Sequence, residues 1–264
     1  MVLEKITRKN VAYLLAHKQM VLTPQQNELF NNHIKKIIQE HYPLQYFLGA
    51  VPFGDMELLV KPPTLIPRPE TEEWVDALIK KLRPFKRERL TIMDMCTGSG
   101  CIALLLAQAL PKSTIYAVDS KNEALVLAQE NAQKNNITNI VFLKSDCFKN
   151  IDATIQIDLF VSNPPYVTSA EFETLDPNVK NWEDKEALVA ENNGLAFYEL
   201  FTNVLKNYLK KDSILNKKVP RIVMEIGHLQ ADSIKNLFIK QGYSNIIVTK
   251  DMHQKDRTIT LYHL

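Results

Sequence analysis

Leu90-Thr91-Ile92-Met93-Asp94-Met95-Cys96-Thr97-Gly98-Ser99-Gly100-Cys101 decides how the rest of the chain is read. Leu90 to Met95 is an apolar run of strand length, and Ser99 to Leu110 follows as an apolar helix. Gly98 and Gly100, in the turn between them, let the backbone pass close to a ligand. The helix start beyond presents free N–H groups and a partial positive charge. Ala103 stands at the third position of a G-x-G-x-x-G/A pattern, while no Lys-Ser/Thr ending is present, so a P-loop is excluded.

The alternation continues downstream. Ser113 to Val118, Ile140 to Leu143, Ile157 to Ser162 and Arg221 to Ile226 read as strands, and Asn122 to Asn135, Leu195 to Leu209 and His228 to Lys240 as helices. That order predicts an α/β fold, a mostly parallel sheet covered by helices on both faces. Tyr243 to Thr249 and Thr258 to Leu264 leave no room for a helix between them, so they are expected to pair antiparallel at the edge of the sheet. Upstream, Val2 to Ala16 is compatible with helix, and Thr23-Pro24-Gln25-Gln26 carries the capping box of a second segment with Leu29, Phe30, Ile34, Ile37 and Ile38 at helical spacing. Gly49, Pro52 and Gly54 bracket a short hairpin with Met56 to Val60, and Pro62, Pro63, Pro67 and Pro69 mark an extended connector. The expected organisation is a small helical N-terminal unit over 1–43, the hairpin and connector over 44–70, and the α/β domain over 71–264.

Composition removes several classes of function. With 45% apolar residues and no run near the roughly 20 that a span requires, the chain reads as globular and membrane-free. Cys96, Cys101 and Cys147 form neither C-x-x-C nor ligand spacing with histidines, so reduced thiols and no metal are expected. The N-terminus lacks a signal-peptide core; Lys5, Arg8, Lys9 and Lys18 against Glu4 keep an organelle matrix open beside a cytoplasmic location. A net charge of +2 is too small to argue a nucleic-acid partner. Local basic runs occur at Lys80, Lys81, Arg83, Lys86, Arg87 and Arg89, and at Lys206, Lys210, Lys211, Lys217, Lys218 and Arg221; they read as solvated helix ends or as a docking aid.

The chemistry-bearing residues recur at strand ends, on the edge where open α/β sheets bind ligands. Asp119 ends the second strand about 20 residues beyond the glycines, where an acid accepts ribose hydroxyls or caps the next helix. Asp146 and Cys147 follow the third strand. Asn163-Pro164-Pro165-Tyr166 follows the fourth, giving carbonyl acceptors, almost no N–H donors and an aromatic ring. Such a cluster suits a substrate that carries N–H groups, or it is a turn. Arg68, between Pro67 and Pro69, is either a fixed cation near the site or part of the connector.

Together these features resemble the class I S-adenosylmethionine-dependent methyltransferases, whose fold is Rossmann-like with an antiparallel last strand. Asn163 to Tyr166 resembles the motif of amino-group methyltransferases acting on adenine, cytosine or glutamine. Two further stretches are similar to the protein-(glutamine-N5) methyltransferases of peptide chain release factors: Pro43 to Gly49 with Phe53-Gly54, and Leu65-Ile66-Pro67-Arg68-Pro69-Glu70-Thr71-Glu72. Glu183 with Ala187-Leu188, Asn193-Gly194-Leu195, Glu225-Ile226-Gly227 and Asp256-Arg257 extend the resemblance to the end of the chain. The family has glycine at Cys96, proline at Asp184 and glycine near His253. Cys96 still leaves the two turn glycines, and Asp184 is expected to reshape the loop over the substrate.

The resemblance implies S-adenosyl-L-methionine as cofactor, held by Cys96, Thr97, Gly98, Ser99, Gly100, Asp119, Asp146 and Cys147, with Asn163 and Thr71 beside it. It implies Asn163, Pro164 and Tyr166 as the catalytic group, and Asn163, Pro164, Pro165, Tyr166, Arg68 and Glu183 as the substrate contacts. The implied reaction is methylation of the glutamine side chain in the Gly-Gly-Gln motif of a release factor, gripped by the N-terminal helices of a monomeric enzyme. The competing readings are an adenine-N6 nucleic-acid methyltransferase, which needs the same acceptors for an exocyclic amine, and a non-catalytic S-adenosylmethionine-binding assembly factor.

Overall fold

The computed structural model describes residues 1–215 and 219–263. Lys217 and Lys218 of the second basic run, and Leu264 at the end of the last expected strand, lie outside the described residues. Three helices open the chain: α1 (Val2–Thr7), α2 (Val11–Ala16) and α3 (Pro24–Gln39). The capping box read from Thr23 and Gln26 closes reciprocally at the start of α3. A short helix that the sequence reading did not anticipate, α4 (Leu44–Leu48), turns at Gly49 into the antiparallel hairpin β1 (Ala50–Phe53) and β2 (Met56–Leu59).

Helix α5 (Pro69–Leu82) then leads to the main sheet. Its members in chain order are β3 (Thr91–Met95), α6 (Cys101–Ala109), β4 (Thr114–Asp119), α7 (Asn122–Lys134), β5 (Ile140–Lys144) and β6 (Leu159–Ser162). Four short helices follow, α8 (Ser169–Glu173), α9 (Pro177–Lys180), α10 (Lys185–Leu188) and α11 (Glu191–Gly194). The domain closes with α12 (Ala196–Tyr208), β7 (Ile222–Glu225), α13 (Ala231–Lys240), β8 (Ser244–Lys250) and β9 (Asp256–His263). Sheet order is β5-β4-β3-β6-β7-β9-β8, with parallel pairing from β5 through β7 and β9 antiparallel to both its neighbours. The expected final pair is therefore antiparallel, but only β8 is an edge strand; β9 fills the gap between β7 and β8.

Alternating side chains divide between two cores. Ile92, Leu159, Val161 and Val223 meet α5 and α6 on one face, while Met93, Met95, Phe160 and Met224 meet α12 and α13 on the other. With both faces covered, β3, β6 and β7 read as nearly continuous apolar runs, and a polar residue inside them needs a partner. Asp94, Ser162 and Glu225 are those exceptions, at 0%, 0% and 2% exposure.

Candidate active site

The turn after β3 is built from left-handed residues, with Cys96 at φ 62°, Gly98 at 56° and Gly100 at 84°. Cys96 thus adopts a backbone shape that glycine takes at least strain. Beneath the turn, Asp94 accepts hydrogen bonds from Thr97 Oγ1 at 2.6 Å and Ala103 N at 3.1 Å through one oxygen, while its other oxygen is buried without a partner. Burial, against those two bonds, raises the Asp94 carboxyl to about 7. Asp119 accepts from Gly98 N and Lys121 N, each at 2.9 Å, and so ties the end of β4 to the glycine turn. Burial raises its carboxyl as well. The sequence reading missed Asn131 of α7, which is fully buried, bonds Leu59 N and O, and donates to Ser99 O at 3.0 Å. It fixes the hairpin to the same turn.

These elements enclose a cavity of about 510 Å³. Of the residues expected to bind, Cys96, Thr97, Gly98, Ser99, Asp119, Asp146, Cys147, Asn163 and Pro165 line it. Leu65, from the stretch that carries the family resemblance, lines it too, as do Lys121 and Phe197, which nothing in their local sequence marked. A Cβ placed on Gly98 would meet nothing within 4 Å, whereas one on Gly100 would meet Ala128 Cβ at 3.0 Å. Gly98 therefore keeps the turn open, and Gly100 lets α7 pack against it. The neighbouring Cys147 thiol and loss of hydration push the Cys96 thiol well above its ordinary pKa. Lys121 faces Glu186 at 2.6 Å and Asp184 at 3.6 Å across the rim; Asp184 also caps α10 through Glu186 N and donates its own N–H to Pro63 O.

Asn163 to Tyr166 leaves β6 where Ser162 Oγ donates to Met95 O at 2.7 Å, so the motif starts at a fixed height beside the glycine turn. Asn163 Nδ2 donates to Thr71 Oγ1 at 3.3 Å. Thr71, expected beside the cofactor, does not line the cavity: it is 1% exposed, and its hydroxyl bridges Asn163 and Glu225. Tyr166 N donates to Leu188 O, and Tyr166 O accepts from Gln230 Nε2 at 2.9 Å. Glu225, missed as a site residue, gathers Thr71 Oγ1 at 2.6 Å, Trp74 Nε1 at 3.0 Å and the Tyr166 hydroxyl at 3.2 Å. Arg257 lies 3.9 Å from Glu225 and is held from behind by Asp251 at 3.0 Å. Burial raises the Glu225 carboxyl in spite of these donors. Arg68 Nη2 sits 2.7 Å from both oxygens of buried Glu183, so its charge joins the connector to the loop over the site. Pro164, Tyr166, Arg68, Glu183 and Gly100 are not among the residues that line this cavity. Among the described residues no group of three or more His, Cys, Asp or Glu side chains could hold a metal ion.

A glycine turn, an acid after the second strand and a donor-poor acceptor cluster after β6, on a sheet of this order, define a class I methyltransferase fold. Residues 74–177 match the family model described as Methyltransferase small domain. A methyltransferase from Pyrococcus furiosus superposes with a TM-score of 0.55 over 91% of this chain and 98% of its own, at 17% identity. The catalytic domain of hMettl16, solved with an RNA hairpin, gives 0.57 over 89% of this chain and 78% of its own, also at 17% identity. Both share the fold alone. Sequence similarity is more specific. The chain is 34% identical to the release factor glutamine methyltransferase of Thermodesulfovibrio yellowstonii over 91% of its own length and 83% of that protein. It is 37% identical to the Francisella tularensis enzyme (87% and 80%) and 34% identical to that of Bacillus cereus (98% and 89%). The chain belongs to the release factor glutamine methyltransferase family.

Proposed function

We propose that this chain transfers the methyl group of S-adenosyl-L-methionine to the side-chain amide nitrogen of the glutamine in a release factor's Gly-Gly-Gln motif. The observation that carries this reading is the opening of Asn163 and Pro165 into the same cavity as the glycine turn and Asp119. The donor set fits the cofactor. The turn is open at Gly98, and each Asp119 oxygen accepts one backbone N–H and keeps a lone pair for a ribose hydroxyl. Cys96 to Ser99 would hold the amino-acid end, with Asp146 and Cys147 beside adenine. When bound, the cofactor supplies an electrophilic methyl on a sulfonium.

A glutamine amide nitrogen is a poor nucleophile because its lone pair is delocalised into the carbonyl. The chain's residues answer with position and electrostatics. Asn163 Oδ1 and the Pro164 carbonyl accept the two amide N–H bonds and aim the nitrogen, while the Tyr166 ring supports the flat amide. As positive charge grows on nitrogen, both acceptor bonds strengthen, which is the differential binding that lowers the barrier. Arg68 and Glu183 shape the entrance, and α1 to α3 offer the surface for the rest of the substrate.

No helix among the described residues is long and apolar enough to cross a membrane. We place the reaction in the cytoplasm, with an organelle matrix as the alternative, and assign it to a monomer that needs no nucleic acid. Tritium transfer from S-adenosylmethionine to purified release factor, to duplex DNA and to RNA tests the reading; label in the release factor alone supports it, and label in nucleic acid alone overturns it.

A further inference from the structure

Behind Asn163 lies a chain of hydrogen bonds whose direction is fixed by chemistry. Trp74 Nε1 is only a donor and the Glu225 carboxylate is only an acceptor, so Glu225 Oε2 accepts from the indole at 3.0 Å. Thr71 Oγ1 stands 2.6 Å from the same oxygen and therefore donates its single hydroxyl hydrogen to it. What Thr71 offers Asn163, at 3.3 Å, is a lone pair. An asparagine amide facing a lone pair must present its NH₂. Its oxygen then points the other way.

We propose that Glu225 and Thr71 are positioning residues that fix the Asn163 side-chain amide with Oδ1 toward the reacting group, and that this orientation selects an amide substrate over a carboxylate. The inference rests on the proposed glutamine reading for its substrate, but its hydrogen-bond order stands without it. A flipped Asn163 would set its oxygen against a Thr71 that has no hydrogen left to give. It would also point its NH₂ at the substrate, donor against donor. An unpaired buried acceptor shifts the two orientations by roughly 10- to 100-fold in population. The flipped state would, however, welcome a glutamate carboxylate. Holding the amide one way therefore also keeps a carboxylate out.

The test uses the full chain with Thr71→Val, which keeps the shape and removes the lone pair and the hydroxyl, and Thr71→Ser, which restores both. Thr71→Val is expected to slow single-turnover methyl transfer to the release factor by about 10- to 100-fold, with the cofactor Kd changed less than about threefold. It is also expected to strengthen inhibition by a release factor whose Gly-Gly-Gln glutamine is replaced by glutamate. Thr71→Ser should return both rate and inhibition toward wild type. A Thr71→Val protein that binds cofactor and transfers methyl at the wild-type rate overturns the proposal, as does a folded Thr71→Ser that is as slow as Thr71→Val. Should Thr71→Val fail to fold, nuclear Overhauser contacts in the wild type decide. The Asn163 NH₂ protons, identified by their loss in Asn163→Asp, are expected to contact the Thr71 methyl, and contact to the cavity side alone overturns the assignment. A wild type that leaves glutamine unmethylated would defeat the functional reading, and the same contacts would still decide the orientation of Asn163.

Discussion

Asn163 and Asp94 show how a single polar group in this sheet is governed by what surrounds it. Asn163 accepts from the substrate only if its oxygen faces the cavity. Asn163→Ala is therefore expected to lower the rate of methyl transfer on the order of 100-fold while cofactor affinity changes only a few-fold. Single-turnover kinetics beside calorimetric titration would check this, and equal losses in both would contradict the role. Asp94 makes a prediction about pH. Its carboxyl is raised by burial from an ordinary 3.8 to about 7, so the folded protein holds that proton more tightly than the unfolded chain. The resulting stability is fully present below about pH 4 and is lost as pH rises through about 7. Without cofactor, wild-type Tm should fall relative to that of Asp94→Asn across this window, by the equivalent of a few kcal/mol. Parallel melting curves from about pH 4 to 7 would contradict it.

At the scale of elements, the exit from β6 depends on a distant glycine. Gly194 has φ 81°, and a Cβ there would fall 2.2 Å from Tyr166 O and 2.3 Å from Gln230 Nε2. Gly194→Ala is expected to cost at least 1–3 kcal/mol and to slow methyl transfer by moving the Tyr166 backbone; thermal melting and a rate measurement check the two parts. Strands β3, β6 and β7 were legible in the sequence because burial on both faces leaves apolar runs between turn signals. The position of β9 was not, because antiparallel pairing with β8 is satisfied equally by an edge pair and by insertion beside β7. Asp119, Asp146 and Asn163 stood out at strand ends, yet periodicity hid Glu225 inside the run from Ile222 to Ile226. Its importance comes from Thr71, Trp74 and Tyr166, which lie 59 to 154 residues away in sequence. Arg68 was left open as site cation or connector for a similar reason, since its partner Glu183 is 115 residues on.

For the whole molecule, the N-terminal helices are joined to the loop over the cavity through Trp182. Trp182 Nε1 donates to Glu40 O at 2.9 Å, Tyr42 meets its ring edge-on at 4.7 Å, and Lys36 lies over both rings. From the same loop, Glu183 pairs with Arg68 and Asp184 N bonds Pro63 O. Under the proposed function, a substrate docked on α1 to α3 would thereby be registered against the site. Trp182→Ala is expected to raise the KM for the protein substrate several-fold while leaving cofactor affinity near wild type, as steady-state kinetics would show. All of these contacts serve one claim, that Asn163 to Tyr166 holds a glutamine amide in front of a methyl donor. Mass spectrometry of a release factor's Gly-Gly-Gln peptide, after incubation with this protein and S-adenosylmethionine, tests it most directly. One added methyl on the glutamine side chain is the predicted result, and an unmodified glutamine after full turnover conditions would contradict the account.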